Sequence, residues 1–216
     1  GGEQAKLFVR RGPCLVKVEV NHVFRGTVMD VVTSMLVESA QDHFEREIEL
    51  PVLAAPELYG SKLVAAMDRQ HPRDLFDVLG MFREHGLTEP VLECFTSYLA
   101  GHNRPVHEVL FGNQQDISAA YENEFRGMTT EEIDLAALLE TRERLWTELP
   151  AALSADQKQF LLGLVAAEPA WSLMKCPHLA ELPAIRWKLR NLEMLKASNP
   201  TKFEAQREEL SERLRA

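Results

Sequence analysis

No run of apolar residues in this chain approaches the ~18 that a membrane-crossing helix needs, so no membrane span is expected. Cysteine is scarce. Cys14, Cys94 and Cys176 are widely spaced and odd in number, which argues against a disulfide framework and for a reducing, cytoplasmic setting. Zinc chemistry is excluded on spacing as well. Cys176-Pro177-His178 is too short a pattern for a tetrahedral site, and His102 and His107 are poorly placed for one. No internal repeat, low-complexity tract or long flexible linker interrupts the chain. What remains is ordinary for a globular protein: 216 residues, 45% hydrophobic and 26% charged. That is enough to bury a substantial core in one domain or two closely packed ones.

Residues 56–77 hold the densest chemistry. Pro56 can open a helix, because its missing N–H would be unpaired there anyway. At ~100° per residue, Lys62 and Arg69 fall on one face, with Ala66 between them leaving room for a ligand or another backbone. Leu58, Leu63 and Met67 supply the buried face. Pro72 breaks the pattern and opens a second helix, with Arg73 and Asp74 in its first turn and Asp77 one turn on. Its apolar stripe is Leu75, Phe76, Val78, Leu79 and Phe82, and Gly86 ends it. A lysine, arginines and acids so arranged suit a phosphorylated ligand, and equally suit two amphipathic helices with salt-bridged outer faces. The match of His71-Pro72-Arg73-Asp74-Leu75 to a kinase catalytic loop fails: Pro72 interrupts it, and the motif's Asn and a Gly-rich loop are missing.

Residues 14–21 alternate cleanly. Cys14, Val16, Val18 and Val20 point one way and Lys17, Glu19 and Asn21 the other, as a strand requires. Leu7 to Arg10 pair with it through the turn Arg11-Gly12-Pro13. A carboxylate in mid-strand, Glu19, can hold a metal ion, or pair with Lys17 on an open sheet face.

The rest reads as helices. Thr88 caps one that runs to about Gly101, and a short one follows Pro105. Thr129 with Glu132 forms a capping box for a long helix to about Leu149, and Ser154 with Gln157 forms another. Pro183 and Asn199-Pro200 open the last two. The net charge is −9, yet residues 183–216 carry eight bases against five acids, a local +3. There Arg186, Lys188 and Arg190 cluster around Trp187, as a phosphate-backbone contact would need, or as a packed tail helix with snorkelling cations would show. The acidic stretch from Glu38 to Glu57 faces either a basic partner or water.

Several segments, taken in order, resemble the AbiEii/AbiGii-type toxin nucleotidyltransferases of the DNA polymerase β-like superfamily. They are Val16-Lys17-Val18-Glu19-Val20-Asn21, Arg25-Gly26-Thr27-Val28, residues 62–77, Gly101-His102-Asn103-Arg104-Pro105, Glu122-Asn123-Glu124-Phe125-Arg126, Glu168-Pro169-Ala170-Trp171, and residues 182–192 around Trp187. The expected fold is α+β, mostly α: a small remnant of a nucleotidyltransferase β-sheet packed on a helical C-terminal domain. The expected division is a partial sheet region at 1–55, a helical segment carrying the Lys and Arg-Asp motifs at 56–128, and a C-terminal helical region at 129–216. The resemblance implies that Glu19 is a metal-binding carboxylate. It implies that Lys62 contacts a triphosphate and that Asp74, with Arg73 beside it, lies near the incoming nucleotide or the attacking group. Lys17, Arg69, Arg73 and Asp77 would form the nucleotide-binding surroundings, with Arg69 and Asp77 ordering the site. It further implies NTP and Mg²⁺ as cofactors, tRNA or another RNA as acceptor and an antitoxin protein as partner.

One departure stands out. The family pattern has a Gly-rich turn followed by an Asp-x-Asp pair, and no such pair exists here; Asp30, Asp42 and Asp116 are each isolated. The expectation is therefore a C-terminal portion of a longer protein, inactive by itself, since Glu19 alone would hold Mg²⁺ poorly. Missing strands would leave a sheet edge exposed for a homo-oligomer or another partner. The alternative is a non-catalytic helical binding module that contacts nucleotide, RNA or an antitoxin.

Overall fold

Prolines and glycines punctuate this chain at its helix boundaries, and a computed structural model, which describes residues 6–19 and 24–215, shows what they separate. Strands β1 (Lys6–Arg11) and β2 (Cys14–Glu19) pair antiparallel, Lys6 opposite Glu19 and Arg11 opposite Cys14. Gly12, at φ +57°, makes the turn. Val20 and Asn21, expected to continue β2, lie outside the described residues. A second antiparallel hairpin, not foreseen from the sequence, is formed by β3 (Val32–Met35) and β4 (Glu49–Val52) around the short helix α1 (Glu38–Phe44). The two hairpins are separate sheets. Every described strand residue is exposed, including Leu7, Phe8, Val9, Leu15, Val16 and Val18.

The rest is helical: α2 (Ala55–Arg69), α3 (Pro72–Glu84), α4 (Glu89–Ala100), α5 (Val106–Leu110), α6 (Ser118–Glu124), α7 (Leu135–Ala152), α8 (Ala155–Val165), α9 (Pro183–Ser198) and α10 (Pro200–Arg215). Single 3₁₀ turns lie at Trp171–Leu173 and Leu179–Glu181. The fold is α+β and mostly α, as expected. Among the described residues, no helix is long and apolar enough to cross a membrane.

The helix ends follow local chemistry. α2 and α3 start on Pro56 and Pro72. α3 closes on Gly86, at φ +70°, where the N–H groups of His85 and Gly86 both donate to the Met81 carbonyl. Ser154 and Gln157 form the expected capping box of α8. The box expected at Thr129 and Glu132 does not form. The Thr129 hydroxyl turns to the Glu131 carbonyl at 2.7 Å, and α7 starts later, with Asp134 accepting from the Ala137 N–H at 2.8 Å. Thr88 stands at the N-cap of α4 without a side-chain capping bond.

One continuous apolar core links residues from Phe24 to Leu210, including Leu63, Met67, Leu75, Phe95, Leu145, Phe160 and Leu210. Two expectations about α2 are corrected. Leu58 is exposed, and Ala66 is buried in the core and faces no open space. The α2–α4 crossing is close because Gly60 has no side chain. A Cβ there would lie 2.6 Å from the Phe95 nitrogen and 2.7 Å from the Cys94 Cβ.

The loop ahead of β3 is bound to this crossing by one buried carboxylate. Glu57, 0% exposed, accepts from the Val28 N–H at 2.8 Å, the Met29 N–H at 2.9 Å and the Tyr98 hydroxyl at 3.0 Å. A buried carboxylate is tolerable only with such donors around it. The clamp seats Phe24 flat on Tyr98, ring centroids 3.9 Å apart. From the other side, the His178 imidazole lies 2.7 Å from the Thr27 carbonyl. Gly26, at φ +154°, passes Leu182 where a Cβ would come within 2.7 Å of its Cδ2.

Two outcomes follow for stability, both read from urea unfolding. Gly60→Ala gains up to ~1 kcal/mol of helix propensity but is expected to destabilise by a net ~1–3 kcal/mol, because backbone must move. A raised midpoint would contradict the close crossing. Glu57→Ala strands three donors and is expected to cost ~3 kcal/mol or more; a loss below ~1 kcal/mol would show that the clamp carries little.

Candidate functional site

The break between α2 and α3 builds the site. Gln70 ends α2 in a left-handed conformation, φ 52°, and His71 caps α3 by accepting from the Arg73 N–H at 3.2 Å. The last turn of α2 thus lies beside the first turn of α3. Arg69 reaches across to Asp74 with two bonds, Nη2 to Oδ1 at 2.6 Å and Nε to Oδ2 at 3.1 Å. Asp74 is buried and sits where the positive end of the α3 dipole favours a carboxylate. Lys62 makes an ion pair with Asp77, both about a third exposed. Two ion pairs therefore cross-link the helices.

Beside them opens a cleft of about 1020 Å³. Lys62, Ala65, Asp68, Arg69 and Asp74 line it from α2 and α3. Phe24, Arg25 and Tyr98 line it from the clamped loop and α4, His102 and Asn103 from the loop after α4, and Trp187 from α9. Ala65, rather than Ala66, is the small residue that faces the open space.

The loop after α4 is held in place by charge. Asp68 accepts from Arg104 Nη1 at 2.7 Å and lies 3.5 Å from His102 Nε2. The Asp68 bond holds the Arg104 guanidinium above its usual pKa. Burial pushes His102 below its ordinary value, against the opposing pull of Asp68. Lys188 is buried and donates to the His102 carbonyl at 2.9 Å and the Arg104 carbonyl at 2.6 Å. Burial brings its ammonium down to about 8. Lys188 is thus a tether between α9 and the loop and makes neither the phosphate contact nor the snorkelling surface cation that its place beside Trp187 allowed; only Arg186, Trp187 and Arg190 of that cluster are exposed.

The sequence-derived residues divide into three groups. Lys62, Arg69 and Asp74 come together in the cleft, with Asp77 behind them holding Lys62. Arg73 turns away, donating from Nη2 and Nε to the Glu124 carbonyl at 2.9 and 3.3 Å, and so anchors α6. Glu19 and Lys17 stand on exposed β2, outside the lining of the cleft. There Glu19 pairs with Lys17 at 2.7 Å and Lys6 at 3.8 Å, and the Lys17 hydrogen bond lowers its pKa.

Sequence reasoning missed Phe24, Asp68, Tyr98 and Asn103 as cleft residues. Asp68, beside Arg69 on the open face of α2, was the one with a readable signal. The others gather only through tertiary packing.

The donor set does not fit a magnesium ion by itself. Among the described residues, no group of three or more His, Cys, Asp or Glu side chains is placed to hold a metal. The cleft carboxylates Asp68 and Asp74 are already taken by Arg104 and Arg69, whereas Mg²⁺ needs free hard oxygens in octahedral array.

A protein-family model described as "Nucleotidyl transferase AbiEii toxin, Type IV TA system" matches residues 4–191. No curated protein and no solved structure matches the chain.

The charge arrangement sets a titration. His102 should lose its proton below the ordinary value of 6.5, and Asp68→Asn should lower the midpoint further by removing the anion that favours the imidazolium. The imidazole C–H resonances followed by NMR against pH would show it. A midpoint at or above the ordinary value, or an upward move in Asp68→Asn, would contradict this reading. Because the folded pKa lies below the unfolded one, His102 costs stability as pH falls through the unfolded value and costs nothing above it.

Proposed function

The chain belongs to the AbiEii nucleotidyl transferase toxin family of Type IV toxin–antitoxin systems, and on that premise we propose that its cleft takes a nucleoside triphosphate whose nucleotide is transferred to an RNA, with a tRNA 3′ end as acceptor. The convergence of Lys62, Arg69 and Asp74 in one cleft of nucleotide size carries this reading. Lys62 exchanges Asp77 for a phosphate oxygen when the triphosphate enters. Arg69 and Asp74 fix each other and orient the nucleotide, and Asp77 orders Lys62 between turnovers. Arg73 acts from behind by holding α6 against the start of α3. The acceptor 3′ oxygen forms a bond to the α-phosphorus as the bond to the bridging β-phosphate oxygen breaks, and pyrophosphate leaves.

Family resemblance assigns Mg²⁺ to Glu19 and counts Lys17 among the nucleotide-binding residues; both stand on exposed β2, outside the lining of the cleft. Glu19 needs further oxygen ligands to hold the ion, and the sequence contains no Asp-x-Asp pair. The reading is therefore that the residues of this chain do not catalyse transfer without further carboxylates beside Glu19. Its partners would be the acceptor RNA and an antitoxin, with the exposed hairpins available to another chain.

A second reading is a non-catalytic module that binds nucleotide, RNA or an antitoxin. The ion pairing of both Lys62 and Arg69 favours its antitoxin-binding form, since each cation must leave a carboxylate before it can serve a phosphate.

Incubation of this chain, and of a longer form with upstream residues, with Mg²⁺, each labelled NTP in turn and total tRNA separates the two. Label on tRNA with the longer form only is expected. Lys62→Ala or Asp74→Ala should reduce it by ~100-fold or more. No transfer by either form with any nucleotide would overturn the enzyme reading and leave the binding module.

A further inference from the structure

Trp187 is exposed where a tryptophan has every physical reason to be buried. The other two indoles are accounted for: Trp146 donates to the Gly112 carbonyl at 2.9 Å, and Trp171 packs on Phe160 with ring centroids 5.9 Å apart. Trp187 is 52% exposed, and it lines the cleft from the α9 side. With Asn103 it also lines a neighbouring cavity that includes Lys202 and Gln206, so the two residues form the ridge between the spaces.

The indole stands on a fixed support. The inward face of α9 is buried through Ala184, Ile185, Lys188 and Leu192. The Lys188 ammonium ties the helix to the carbonyls of His102 and Arg104. Ala184 lies so close to Gly101 that a Cβ on the glycine would sit 3.0 Å from its own. A large aromatic face left open in a cleft, on a helix that cannot easily retreat, is preorganised for a flat apolar partner.

One cleft therefore presents cations from α2 and an open aromatic face from α9. That pairing matches a ligand with a polyanionic end and a flat π-system at the other, which is the chemistry of a nucleotide. We propose that the base of the bound nucleoside triphosphate stacks on Trp187 while its phosphates lie toward Lys62 and Arg69. This rests on the reading of the cleft as a triphosphate site and adds the residue that grips the base. Because every base has a π-face, the platform supplies affinity without choosing strongly among bases.

Tryptophan fluorescence and calorimetry on the full chain, with each of the four NTPs and Mg²⁺, test this. Nucleotide should quench the wild-type emission. In Trp187→Ala and Trp187→Phe, which keep only Trp146 and Trp171, the quench should be lost. Trp187→Phe should bind within a few fold of wild type, and Trp187→Ala about 10- to 100-fold more weakly. Inorganic tripolyphosphate should bind both variants as it binds wild type, since it has no base. Unchanged NTP affinity in Trp187→Ala would overturn the stacking and leave the triphosphate cleft standing. Equal losses for NTP and tripolyphosphate would make Trp187 a structural residue and overturn the proposal. Loss confined to single-stranded oligoribonucleotides would overturn it by moving the platform to the acceptor. Absence of NTP and tripolyphosphate binding in wild type would sink this proposal and the cleft reading together.

Discussion

The cleft depends on one buried carboxylate. Glu57 lies at the start of α2, and its oxygens take two backbone N–H groups from the loop before β3 and the hydroxyl of Tyr98 on α4. Without that acceptor, one buried and two half-buried donors would lose their partner, and the loop that lays Phe24 flat on Tyr98 would lose its tie. That single side chain joins the loop to the α2–α4 crossing. The position of Arg25 at the cleft follows from it, as the loop turns at Gly26 against Leu182.

The same device recurs around the molecule. Glu93 on α4 accepts from the Lys175 and Cys176 N–H groups at 2.6 and 3.3 Å. Gln70 bridges the Asn113 carbonyl and the Gln115 N–H at 2.8 and 2.9 Å, and Lys188 holds the loop after α4. In each case a buried polar side chain on a helix or at its end satisfies loop backbone that pairs with no strand among the described residues. The connections that line the cleft are therefore fixed by helices, while the hairpins stay at the surface with their apolar side chains in water. A sheet that buries neither face contributes little to a core, and such surface is what a further strand or partner would cover.

Electrostatics inside the cleft are nearly balanced. Arg69 is held by Asp74, Lys62 by Asp77 and Arg104 by Asp68. Half-exposed pairs of this kind contribute little to stability. Their effect is positional: they keep Lys62 and Arg69 extended along α2, and Arg104 against it, without a bound anion. The overall charge of −9 repels polyanions at long range, so recognition of a phosphorylated ligand rests on these local cations.

The sequence by itself determined the family and most of the helices; α1 and α6 were not read from it. Prolines at helix starts, Gly86 at a helix end and the Ser154–Gln157 box are local chemistry, so they were legible without the fold, as was the alternation that makes β2. The placement of Lys62 and Arg69 on one face of α2, and of Asp74 and Asp77 one turn apart on α3, was legible too from helical periodicity. The Thr129 box failed because Asp134, closer to the apolar run, competed better for the same helix end. Tertiary structure alone decided the rest. Ala66 and Ala65 differ by one position on α2, and only the crossing at Gly60 settles which is buried. Lys188 and Trp187 are neighbours in sequence, yet a rotation of ~100° sends one into the core and the other into the cleft. Periodicity fixes which residues share a face; the direction that face looks depends on contacts between residues far apart in the chain, and a local pattern does not carry that information.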